Sequence, residues 1–106
     1  MLFELRQYRL LPGQRDNWVK FADEVMIPFQ RGKGMTVVGS FVGEQEDDLF
    51  VWIRRFDSEE QREELYRAVY ESEEWKNDLA PRIGGMLDRE KMLITRLIPT
   101  PGSDIH

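Results

Sequence analysis

The stretch from Thr36 to Phe56 limits what this chain can fold into more than any other. Thr36-Val37-Val38-Gly39-Ser40-Phe41-Val42 and Leu49-Phe50-Val51-Trp52-Ile53-Arg54-Arg55-Phe56 are rich in β-branched and aromatic residues, and the polar run Gly43-Glu44-Gln45-Glu46-Asp47-Asp48 separates them. This pattern reads as an antiparallel hairpin with a loop of four to six residues. The second run is apolar at both parities, with Leu49, Val51 and Ile53 on one face and Phe50, Trp52 and Phe56 on the other. A strand of that kind belongs in the middle of a sheet with both faces covered. The protein's own helices can supply one cover. In a chain of 106 residues, the expected second cover is another copy of the chain.

The flanking segments supply the rest of such a sheet. Leu2 to Leu11 alternates as a strand, with Leu2, Glu4, Arg6, Tyr8 and Leu10 on one face. Pro12-Gly13 ends it, and Trp18, Phe21, Ala22 and Val25 then recur at the spacing of an amphipathic helix, which Pro28 is expected to kink or stop. Arg31-Gly32-Lys33-Gly34 leads into the hairpin. Beyond the hairpin, Ser58 followed by Gln61 forms a capping box, so a helix starts there, with Leu65, Tyr66 and Val69 on its apolar face. Ser72-Glu73-Glu74-Trp75 repeats the cap for a short helix expected to reach Ala80-Pro81, before a break at Arg82-Ile83-Gly84-Gly85. Lys91 to Ile98 alternates as a last strand, closed by Pro99-Thr100-Pro101-Gly102. The order is βαββαβ, the α+β ferredoxin-like unit: a four-stranded antiparallel sheet with strands one and three central and the helices on one face. Residues 1–99 form one domain in this reading, and 100–106 a frayed tail.

Composition narrows the function classes. There is no cysteine, which excludes disulfides, thiolate nucleophiles and sulfur-ligated metals. Of the net charge of −5, the segment Asp57 to Asp78 carries nine acids against three bases, so the acidity belongs to one helical region. That surface repels nucleic acid, and no basic cluster compensates elsewhere. No run of about 18 apolar residues and no basic-then-apolar start occurs, so no membrane span or signal peptide is expected and the expected location is cytoplasmic. The only histidine is His106, which removes histidine-based catalysis and haem ligation from the fold's interior, and no cofactor or metal is expected.

Glu4-Leu5-Arg6-Gln7-Tyr8 followed by Leu11-Pro12-Gly13, the Val38-Gly39-Ser40-Phe41 strand, Trp52 running into Arg55-Phe56-Asp57-Ser58, and Ser72-Glu73-Glu74-Trp75 resemble, in order and spacing, the NIPSNAP family from Phe3 to about Pro99. The resemblance implies a ferredoxin-like fold of the dimeric α+β barrel type, hence a homodimer, and leaves the activity unassigned.

Chemistry on such a fold has one evident place. Glu4, Arg6 and Tyr8 share a face of one central strand, and Trp52 and Arg54 share a face of the other. A buried arginine needs a carboxylate, so one reading is a structural ion pair of Glu4 with Arg6 or Arg54. The other is a ligand pocket between sheet and helices, walled by Tyr8, Trp18, Phe21 and Trp52, in which Arg6 or Arg54 holds an anionic or carbonyl group of a small hydrophobic ligand. The function expected is that of a small-ligand-binding or interaction protein. The alternative is a cofactor-independent monooxygenase or isomerase acting on a small aromatic substrate, for which Asn17, with Trp, Tyr and Arg, supplies the residue types.

Overall fold

β1 (Leu2–Arg9) and β3 (Leu49–Phe56) lie side by side at the centre of a four-stranded antiparallel sheet of order β2-β3-β1-β4, with β2 (Thr36–Val42) and β4 (Leu93–Leu97) at its edges. The computed structural model describes every residue from Met1 to His106. The six-residue loop 43–48 closes the hairpin. Gly43 donates to the Leu49 carbonyl at 3.0 Å, and a side chain there would collide with the carbonyl of Glu46, so only glycine fits.

The register answers what strand parity alone leaves open. Glu4 stands opposite Arg54, Arg6 opposite Trp52 and Tyr8 opposite Phe50, so all six side chains project from one face, and all are buried. Trp18 is wholly enclosed there, meeting Tyr8 and Phe50 edge-on at ring separations of 5.8 and 5.5 Å. On the opposite face Leu5 pairs with Ile53 and Gln7 with Val51, and these residues are only half-buried. Phe41 (56% exposed) and Leu93 (60% exposed) extend this apolar face onto the edge strands.

Pro28, expected to kink or stop its helix, and Pro81, expected to end one, both sit inside helices. After α1 (Arg15–Phe21) the chain makes a π-helical turn, Ala22–Met26, and continues as α2 (Ile27–Gly32) straight through Pro28. The second case is parallel: α3 (Glu59–Tyr70) is followed by a π-helical turn, Trp75–Leu79, and then α4 (Ala80–Gly84), which contains Pro81 and runs on through Arg82 and Ile83. In each case the wide turn closes directly before the proline: Ile27 N–H bonds the Ala22 carbonyl, and Ala80 N–H the Trp75 carbonyl, five residues back. An opened turn relieves the clash between the pyrrolidine ring and the carbonyl four residues earlier, and it absorbs the missing N–H.

The helix after the hairpin starts at the predicted cap. Ser58 is extended (φ −158°, ψ 168°), and its hydroxyl accepts from Gln61 N–H at 3.1 Å. Gln61 Oε1 reaches back to Asp57 N–H at 2.6 Å, one residue before the usual capping-box position. Ser58→Ala is therefore expected to lower stability by about 1 kcal/mol. Denaturant midpoints unchanged to within a few tenths of a kcal/mol would show that the cap adds nothing.

The last residues are more ordered than their composition suggests. Ser103 N–H bonds the Thr100 carbonyl at 3.0 Å, and the Ser103 hydroxyl donates to the Ile105 carbonyl at 2.7 Å. This turn brings Ser103 and Ile105 beside Phe3 and Ile53 on the outer sheet face, where Phe3 is buried.

Candidate functional site: a cavity at Arg6

Two side-chain systems share the space between sheet and helices. The first centres on Glu4, a fully buried carboxylate. Its Oε1 accepts from Arg54 Nη2 and its Oε2 from Arg62 Nε, both at 2.7 Å, and the Tyr66 hydroxyl lies 2.7 Å from each oxygen. Arg54 is also fully buried, and gives further bonds to Gln30 Oε1, Tyr70 Oη and Tyr66 Oη, each at 2.8 Å. The rings of Trp52 and Tyr66 lie 5.0 and 5.1 Å from its guanidinium carbon. Burial alone would raise the Glu4 pKa, but the Tyr66 hydroxyl, the Arg54 charge and the Arg62 bond outweigh it and hold Glu4 below its ordinary value. Burial, with the Glu4 carboxylate beside it, pushes the Tyr66 phenol up to about 12 against the opposing pull of Arg54, so this phenol stays a neutral donor.

The second system centres on Arg6, which is 8% exposed. Its Nε donates to Tyr8 Oη at 2.8 Å, while Nη1 and Nη2 find only long contacts, to Tyr66 Oη at 3.4 Å and Met92 Sδ at 3.5 Å. No carboxylate pairs with it. Glu4 cannot serve, because Arg54, Arg62 and Tyr66 occupy both of its oxygens. The buried charges are thus two guanidiniums and one carboxylate. Burial works against the charge on Arg6, but the surrounding tyrosine oxygens, Tyr8 first, more than offset it and favour the protonated form. Burial likewise raises the Tyr8 phenol despite the neighbouring Arg6.

Beside Arg6 lies a cavity of about 170 Å³. Arg6, Tyr8 and Trp52 form its sheet side, Met26 and Gln30 its α1–α2 side, and Tyr70, Trp75, Ala80, Ile83 and Leu87 the side opposite. The exposed Arg89, whose Nη2 donates to the Ala80 carbonyl at 2.7 Å, stands with the half-buried Met92 on the solvent side. Gln30 reaches the cavity wholly buried, with its Oε1 committed to Arg54 and its Nε2 without an acceptor; the indole N–H of Trp52 makes no well-formed hydrogen bond, only a weak approach to Tyr8 Oη.

Of the residues singled out in the sequence, Arg6, Tyr8 and Trp52 line this cavity and Trp18, Phe21 and Arg54 do not. Trp18 is spent on the aromatic core behind Tyr8, Phe21 lies under Arg82 beside an open surface cleft, and Arg54 is consumed by the Glu4 system. Asn17 also stands outside, exposed and bonded to Gln14. Gln30, Tyr70, Trp75 and Met92 went unread in the sequence as cavity residues. Gln30 carried a usable signal, since Trp18, Ala22, Met26 and Gln30 recur every fourth residue and the last is the one polar member of a buried stripe.

The NIPSNAP family profile matches residues 3–101. Among solved structures, a NIPSNAP family protein of unknown function from Agrobacterium tumefaciens superposes with a TM-score of 0.89 at 23% identity, over 100% of this chain and 94% of that one. A NIPSNAP domain protein from Burkholderia xenovorans gives 0.82 at 21% identity, over 97% and 98% of the two chains. An antibiotic biosynthesis monooxygenase gives 0.70 at 17% identity, over 95% and 100%. No functionally curated protein matches the sequence. No helix is long and apolar enough to cross a membrane. With a family match over nearly its whole length and the fold shared with two such structures, the chain belongs to the NIPSNAP family.

Proposed function

We propose that this protein is a cytoplasmic, homodimeric small-ligand-binding protein whose cavity takes up a small anion with Arg6 as its counter-ion. One observation carries the reading: Arg6 is buried at the edge of a cavity and the fold provides it with no carboxylate. The tyrosine oxygens solvate this charge without neutralising it, and the one nearby carboxylate, Glu4, is saturated. An incoming anion completes the site. An oxygenase reading has less support. The cavity lining contains no carboxylate or histidine to take a proton from a substrate, and Asn17 lies outside it. The likeness to the monooxygenase concerns the fold. Titration of small anions into the ligand-free protein, followed by the Trp52 indole resonance, is expected to show saturable binding of one anion per chain. A protein that binds none of them at millimolar concentration would overturn the reading.

The dimer is supported by the apolar outer face of the sheet, where Val51, Ile53, Phe41 and Leu93 lie half-buried or exposed in the single chain, and by the barrel arrangement that the resemblance implies. Light scattering at micromolar concentration is expected to give twice the chain mass. Val51→Asp should yield monomer or, because a bare sheet is adhesive, aggregate. A monomer mass for the unaltered protein would rule the dimer out.

A further inference from the structure

We infer that the anion is a monocarboxylate on a compact apolar body about one ring in size, and that Gln30 and Trp52 join Arg6 in recognising its carboxylate. This rests on the reading of the cavity as an anion site and adds which anion it takes.

The hydrogen-bonding inventory points to an acceptor-only ligand group. Arg6 Nη1 and Nη2 have only contacts of 3.4 and 3.5 Å, Gln30 Nε2 has no acceptor, and Trp52 Nε1 has no well-formed hydrogen bond beyond a weak approach to Tyr8 Oη, which Arg6 already occupies. The orientation of the Gln30 amide is set from behind, because Arg54 Nη1 must donate to Oε1 at 2.8 Å, which leaves the amino group unmatched. Three elements, β1, α2 and β3, therefore each bring an underused donor to one cavity, and the polar oxygens there are already engaged: Tyr8 Oη accepts from Arg6 and Tyr70 Oη from Arg54. An alcohol or amide would bring donor protons where acceptors are scarce. A carboxylate brings acceptors alone and gains charge-assisted bonds.

Charge and volume narrow the class further. One guanidinium lacks a counter-ion inside, so a monoanion neutralises the site, whereas phosphate or a dicarboxylate would leave charge facing Trp75, Ile83 and Met92. Arg89 adds a second guanidinium to the lining, but it is exposed and screened by water, so the one desolvated charge to be neutralised is that of Arg6. The cavity of about 170 Å³ slightly exceeds the size, roughly 150 Å³, of a dry cavity that accepts benzene.

The test compares benzoate, cyclohexanecarboxylate, benzyl alcohol and inorganic phosphate by calorimetry and by the Trp52 indole N–H resonance. Both carboxylates are expected to bind one per chain and to shift that resonance, with benzyl alcohol and phosphate weaker by at least about tenfold. Gln30→Glu keeps an acceptor for Arg54 but places negative charge at the cavity, and is expected to weaken benzoate by at least about tenfold while leaving benzyl alcohol unchanged. Phosphate binding more tightly than benzoate would overturn the carboxylate assignment and leave the anion site standing. Benzyl alcohol matching benzoate, or no binding by any of the four, would overturn both. Should Gln30→Glu fail to fold, the order of affinities in the unaltered protein still decides.

Discussion

Glu4→Gln is expected to destabilise this protein by about 3–5 kcal/mol, the cost of breaking a buried ion pair from one side. Against a total stability of about 5–15 kcal/mol for a domain of this kind, that loss can leave much of the protein unfolded at room temperature. The reason lies in how much one carboxylate does. It neutralises Arg54, which is fully buried, bonds Arg62, and accepts from Tyr66. An amide keeps the shape but removes the charge and turns two N–H donors toward groups that are themselves donors. The double change Glu4→Gln with Arg54→Met should recover much of the loss, because it removes the orphaned cation as well. Thermal unfolding of Glu4→Gln, Arg54→Met and the double variant checks this; a double variant no better than Glu4→Gln alone would show that the two residues are not energetically coupled.

The same network gives stability a pH dependence with a definite sign. Glu4 is held below its ordinary value of 4.5 in the folded protein, so near that pH the unfolded chain takes up the proton more readily. The contribution of Glu4 is complete above the unfolded value. It declines as pH falls through 4.5 toward the lower folded value, and it is gone beneath that. Glu4→Gln should therefore flatten the acid limb of a stability curve measured between pH 6 and 3. An acid limb as steep as that of the unaltered protein would assign the proton uptake to other carboxylates.

Much of this arrangement is legible in the residues. A central strand apolar at both parities predicts coverage on both faces, and the run Glu4, Arg6, Tyr8 on one parity marks a buried polar row before any register is known. What parity cannot supply is the pairing. Glu4 could in principle have met Arg6 two residues along its own strand, yet Arg54 stands opposite it across the sheet and takes the carboxylate. Arg6 thereby changes from half of an ion pair to an unpaired cation. The helices supply the rest of what the sequence hides. Pro28 reads as a kink or stop and Pro81 as a stop because the pyrrolidine ring disrupts a regular helix, and the preceding π turns let the backbone pass. Without passage through Pro28, Gln30 lies beyond the helix. With it, Gln30 continues the buried stripe of Trp18, Ala22 and Met26 and arrives at the cavity.

Arg6→Met, at the neighbouring position on the same sheet face, is expected to behave in the opposite way to Glu4→Gln. Removing a buried guanidinium that has no carboxylate leaves no orphaned charge behind, and the methionine side chain fills apolar space beside Met92. The cost is the bond to Tyr8 Oη, worth about 1 kcal/mol, with the longer contacts to Tyr66 and Met92, so the ligand-free protein should unfold within about 2 kcal/mol of the unaltered one. Binding should fail instead. For the unaltered protein a carboxylate at 100 times its Kd raises stability by about 2.7 kcal/mol, which is about 10–20 °C in the midpoint for a domain of this size. Arg6→Met should show no such rise with benzoate at the same concentration. A ligand-free Arg6→Met protein destabilised by 3 kcal/mol or more would place Arg6 among the structural charges, and a midpoint still raised by benzoate would show that the carboxylate is held elsewhere. The expected pair of results, an intact fold and a lost response, would separate the two guanidiniums by role, with Arg54 tying β3 to Glu4 on β1 and to Gln30, Tyr66 and Tyr70 on the helices, and Arg6 left free for what enters the cavity.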